Sequence, residues 1–154
     1  MIFAGRATLS FSSSEYPVSS VTQQLSVEPH VMWEKGDPIR SARSALGSQR
    51  TRPISYWGYQ VSSEDEDDNS CGTPWLERLI AEFAPRANVV RALAERYNVS
   101  LVWIAEGTKY QSSFIFPPDL VARIADLGCS FTGEVLVRKP SKAQKKTLWV
   151  ANPT

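Results

Sequence analysis

The chain has 154 residues, 42% hydrophobic and 21% charged, with a formal net charge of +1. This suits one globular domain that buries roughly two-thirds of its unfolded surface without a metal or disulfide staple, and it carries no whole-molecule field that would mark nucleic acid as the partner. No apolar run approaches the ~18 residues of a membrane span, and MIFAGRATLS lacks a secretory-leader pattern, so the expectation is a cytoplasmic protein.

Residues 7–12, ATLSFS, alternate with a period of two and predict a half-buried strand with Ala7, Leu9 and Phe11 on one face. Ser13 and Ser14 offer helix caps, Pro17 suits a first helical turn, and Val18, Val21 and Leu25 follow at helical spacing. A short helix is expected over 15–26. Val31 and Trp33 share a strand face, with Lys35 on the same parity, before Gly36, Asp37 and Pro38 stop the strand. Residues 39–53 carry Arg40, Arg43, Arg50 and Arg52 and read as a basic loop. ISYWGYQV, 54–61, reads as an aromatic strand in which Gly58 marks a bulge or a close contact.

An acidic loop follows. Thr73 then caps a helix with Pro74 at its first position and Leu76, Leu79, Ile80 and Phe83 on its buried face. Val89, Val90, Leu93 and Tyr97 continue the pattern past Pro85, so two helical pieces are expected with a break near Ala84-Pro85. VSLVWIAE, 99–106, is a near-continuous apolar strand, expected to be central, and 107–113 is a loop. PPDLVARIADLG, 117–128, is a helix stopped by Gly128, and FTGEVLVR, 131–138, is the last strand.

The order β-α-β-β-α-β-α-β predicts an α+β fold: two layers, a largely antiparallel sheet of about five strands, and helices on one face. Its first six elements match the ferredoxin-like order. Residues 1–138 form a single domain in this reading, and the basic tail 139–154 is expected to be frayed.

These parts together resemble the bacterial family called domain of unknown function 4279 over roughly residues 7–137. The resemblance rests on ATLSF, the helix ending QQLSVEP, then W-E-K-G-D-P, the strand with Trp57, the helix beginning Trp75-Leu76-Glu77, and PPDLVARIADLG. It implies an architecture and no assigned activity. The arginine/serine stretch, the acidic run and the basic tail depart from the family's usual pattern.

Several chemistries lack their residues. His30 is the only histidine, so a Ser-His-Asp or Cys-His arrangement would have to use it. HExxH, GxSxG, P-loop and GxGxxG motifs are missing. Cys71 and Cys129 have no CxxC spacing and no histidine cluster, which argues against zinc, and both are expected to be reduced. Asp65, Asp67 and Asn69 begin like a calcium loop, but Ser70 stands where glycine is needed and Leu76 where the bidentate glutamate belongs. No metal, cofactor or catalytic residue is assigned.

The specific stretch is W-E-K-G-D-P. As a site, Trp33, Lys35, Asp37, Arg40 and Trp57 would form a ligand or partner surface, with Glu106 a further candidate acid. As architecture, Gly36 and Pro38 shape the turn, Asp37 binds backbone N–H groups and Trp33 fills the core. The leading expectation is a non-enzymatic domain that binds another protein. Its support is the pair of oppositely charged loops, 39–53 and 62–72, flanking one hairpin. Immunity-type neutralisation of a toxin is a special case of that class. The alternatives are a small-ligand binder or enzyme with a pocket around Trp33, Lys35 and Asp37, and single-strand nucleic-acid binding through the arginines.

Overall fold

The computed structural model describes residues 2–39, 50–62, 73–107 and 115–137. The stretch with Arg40 and Arg43, the acidic run with Cys71, most of the 107–113 loop and the basic tail lie outside the described residues.

The elements are β1 (Ile2–Ser13), α1 (Ser19–Leu25), β2 (Val31–Trp33), β3 (Ser55–Ser62), α2 (Pro74–Phe83), a 3₁₀ turn (Ala84–Arg86), α3 (Ala87–Leu93), β4 (Asn98–Gly107), α4 (Pro118–Asp126) and β5 (Ser130–Val137). One five-stranded sheet has the order β2-β3-β1-β4-β5. The pairs β1–β3, β1–β4 and β2–β3 are antiparallel, whereas β4–β5 is parallel. A parallel neighbour needs a crossover, and α4 supplies it.

Alternation sets the two faces of this sheet. Leu9 lies between Tyr59 and Leu101, and Phe11 between Trp57 and Val99. These rows meet the apolar stripes of the helices, and one core joins Leu9, Phe11, Trp57, Leu101 and Trp103 to Leu25, Leu79, Phe83 and Leu120. Thr8, Ser10 and Ser12 turn to the other face.

Three elements depart locally from expectation, and at two of them a side-chain hydrogen bond accounts for the change. Strand β1 begins at Ile2 rather than near 7, and there is a register shift between Ile2 and Ala4. Helix α1 begins at Ser19 rather than 15, because the Ser13 hydroxyl accepts the N–H groups of Glu15 and Tyr16, each at 3.0 Å, and holds them in a turn. Helix α3 ends at Leu93, leaving Tyr97 to bury its ring and donate its hydroxyl to the Pro17 carbonyl at 2.7 Å. The break at Ala84-Pro85 is present as the 3₁₀ turn. Gly58 is a close contact rather than a bulge: pairing runs on through Ser10 and Gly58, and a Cβ there would come within 2.9 Å of the Tyr56 ring.

Candidate functional site

Residues 34–37 form a tight turn. The Asp37 N–H donates to the Glu34 carbonyl at 3.1 Å, and Asp37 Oδ2 accepts the Glu34 N–H at 2.8 Å. Gly36, with φ of +92°, occupies the third position. Lys35 has no positive φ, so the turn is type II, in which that position favours glycine.

The chain does not stop pairing there. Gly36 N–H donates to the Arg52 carbonyl at 2.9 Å, Arg52 N–H to Asp37 at 2.8 Å, and Ile39 N–H to Arg50 at 2.8 Å. Pro38 faces Thr51 between the last two bonds, at a position where no ladder donor is required.

Helix α1 has no acidic residue in its first turn and no side-chain cap of its own. The Glu34 carboxylate fills that role from across the structure. Its Oε1 accepts the N–H groups of Val18 and Ser19, each at 3.0 Å, and Oε2 approaches Val18 N at 3.2 Å. An anion at a helix N-terminus is favoured both as acceptor and by the peptide dipoles. Lys35 completes the clamp: its N–H donates to Ser55 Oγ, and its Nζ donates to the Ser14 carbonyl, both at 2.9 Å. The segment thus ties the end of the β2–β3 hairpin to the β1–α1 connection.

Trp33 is half-buried on the face away from the helices. Its ring stacks on Tyr56 with centroids 4.5 Å apart and planes inclined by 16°. The Arg52 guanidinium sits 4.2 Å above the Trp33 ring, and the indole N–H donates to the Ile54 carbonyl at 3.1 Å. Val31 shares this face and is 48% exposed, whereas Met32, directly opposite the buried Trp57, turns to the other face of the strand.

Trp57 does not reach that surface. It is fully buried, edge-on to Phe11 and Phe83, with its indole N–H donated to Thr22 Oγ1 at 2.9 Å. Arg40 lies outside the described residues. Glu106 pairs with Ala4, at the opposite end of β1 from Ser14, roughly 30 Å along the strand from the Lys35 contact. His30 has a structural post at the sheet edge: Nδ1 accepts the Gln60 N–H at 3.1 Å, and the ring meets Tyr59 edge-on.

A shallow cleft of about 430 Å³ opens at the same end of the sheet, lined in part by Ser13, Glu15, Tyr16, Ile54, Glu95 and Arg96. The turn borders it through the Lys35 bond to Ser14 and the Trp33 bond to Ile54. The cleft draws on well-separated stretches of the chain, so no local motif announces it. Glu34 was equally hidden, because Ser13 and Ser14 stood as nearer cap candidates and the lack of a side-chain cap on α1 is seen only in the structure. Burial pushes the Cys129 thiol above its ordinary range, against hydrogen bonds from the backbone at Cys129 and Leu101 that lower it. Among the described residues no three His, Cys, Asp or Glu side chains are grouped to hold a metal ion, and no helix is long and apolar enough to cross a membrane.

The turn, the clamped helix and all of the five-stranded sheet but its first residue fall within residues 3–137, and over that span the chain matches the family model described as Domain of unknown function (DUF4279). The chain belongs to this family. No curated protein and no solved structure matches the chain. Membership in DUF4279 therefore brings no activity with it, and function must be argued from the surface itself.

Proposed function

We propose that this DUF4279 domain is a non-enzymatic, cytoplasmic protein-binding module whose contact surface is the β2 end of the sheet. The observation that carries this reading is the Trp33–Tyr56 stack beneath Arg52, with half-exposed Val31 on the same face. Tryptophan, tyrosine and arginine are the residue types that dominate binding hot spots, because each buries a large area and retains a polar handle. Lys35 and Asp37 are already engaged with backbone atoms, which favours a scaffolding role for them over proton transfer. We read the strands β2-β3-β1-β4 as a ferredoxin-like arrangement to which β5 is added. Neutralisation of a toxin as an immunity-type protein is one form this binding would take.

The test is affinity capture from source-cell lysate at low salt with the wild type, Val31→Asp and Arg52→Glu. A protein held by the wild type and lost from both variants supports the reading; identical capture by all three overturns it. Retention of single-stranded nucleic acid in place of a protein moves the function to that class. The cleft supports a second reading, a small polar ligand held between Glu15, Glu95 and Arg96. It requires that some amino acid or nucleotide raise the Tm of the wild type and leave that of Arg96→Ala unchanged.

A further inference from the structure

The two edges of the sheet are unequal. Strand β2 is three residues long, one of the ordinary devices by which proteins blunt an exposed edge. Strand β5 has eight residues and pairs on one side only, parallel to β4. Among the described residues nothing bonds to its outer backbone groups. It has no proline, and Glu134 is its one charged residue. Its apolar side chains stay partly in water: Phe131 and Val137 are exposed. Phe116 packs edge-on against Phe131, and its chain neighbour Ile115 is 82% exposed. A long, apolar, unpaired edge is a template for another strand.

We propose that this edge takes a second copy of the chain, with β5 pairing antiparallel to β5 about a two-fold axis normal to the sheet. The sequence of the strand selects the register. Side-chain faces match across the axis only when facing residue numbers add to an even sum. Centring on Glu134 sets two carboxylates directly opposite, which is unfavourable. Centring on Thr132 or Val135 leaves only about five residues of each strand paired. Centring on Gly133 pairs the strand almost throughout: Phe131 faces Val135, and Glu134 faces Thr132, whose hydroxyl can donate to the carboxylate. The two Glu134 side chains are then diagonal neighbours on the solvent face. Such closure is isologous, so both edges are consumed and assembly stops at two.

The result is a continuous ten-stranded sheet with a β2 surface at each outer end. At about 4.8 Å per strand these surfaces stand roughly 40 Å apart. A partner with two matching sites would then gain from avidity. The dimer itself does not depend on the binding role proposed for β2, which lies at the opposite edge.

The experiment is sedimentation equilibrium of the full chain from micromolar to near-millimolar concentration, with charge swaps at the predicted contact. Wild type is expected to dimerise. Thr132→Glu sets like charges opposite each other twice per dimer and should weaken association about tenfold, equivalent to about 1.4 kcal/mol. Thr132→Lys should not weaken it, and adding Glu134→Lys to Thr132→Glu should restore wild-type association. Both positions are exposed, so urea unfolding at a protein concentration low enough to keep every variant monomeric should match the wild type and exclude a folding defect. A wild type that stays monomeric throughout overturns the proposal. So does a dimer indifferent to the sign of the charge at 132.

Discussion

Gly5 shows how one missing methyl group sets a packing distance. A Cβ there would lie 2.5 Å from the Trp75 ring and 2.7 Å from the Ile104 carbonyl, so α2 can approach β1 and β4 only over glycine. Gly5→Ala should therefore cost about 1–3 kcal/mol in urea unfolding, the usual range for overpacking a core. Cys129 carries a pH signature. Its raised thiol pKa means that the folded protein holds this proton more tightly than the unfolded chain. That contribution is intact below the ordinary thiol value near 9.0 and is lost as pH rises through the raised one. The alkaline fall in stability should be shallower in Cys129→Ala, as judged by midpoints measured at a series of pH values. At this scale the sequence was partly legible. Gly36 and Asp37 declared a turn through their residue types, because glycine admits positive φ and aspartate binds nearby backbone groups. Glu34 could not be read, since its partners Val18 and Ser19 become neighbours only through the tertiary fold. Trp57 was misleading for the same reason: an aromatic in a strand faces the core or the solvent according to a register that is set elsewhere.

Helix ends meet at Arg86. Its Nε donates to the Leu25 carbonyl at 2.8 Å and its Nη1 to the Glu82 carbonyl at 2.7 Å, so one guanidinium satisfies the last turns of α1 and α2. The Glu82 carboxylate lies 3.2 Å away and adds a partly exposed ion pair of small worth. Arg86→Met keeps the aliphatic stem and removes the fork; it should lower stability by about 1–3 kcal/mol, with Arg86→Lys between it and the wild type. Denaturant midpoints of the three proteins check the ranking. Elements with strong periodicity were readable from residues alone. Leu76, Leu79, Ile80 and Phe83 reported α2, and Pro85 reported the break, because a proline lacks the N–H that the helix needs. The start of α1 was not, because Ser13 competes for the N–H groups of Glu15 and Tyr16. Pro38 was read as a stop, although its position in the ladder needs no donor.

Over the whole molecule, alternation showed which strand faces are buried but not which strands are neighbours. Strand order depends on contacts between distant residues, and only the last connection, through α4, was constrained by chain order. The expectation of an α+β fold with a five-stranded sheet matches the structure. In the roles proposed above the two edges divide the labour: β2 and its stacked rings would offer a small recognition surface, and β5 a long backbone edge. What holds the first of these in place is the W-E-K-G-D segment, acting as a clamp between hairpin and helix. Urea unfolding at one fixed protein concentration of the wild type, Glu34→Ala, Asp37→Ala and Met32→Ser tests this most directly. The clamp predicts losses of about 1–2 kcal/mol for Glu34→Ala and Asp37→Ala, the size expected for a lost cap or turn bond, and a change within about 0.5 kcal/mol for the surface variant Met32→Ser. Unfolding of Glu34→Ala and Asp37→Ala at the wild-type midpoint would contradict it.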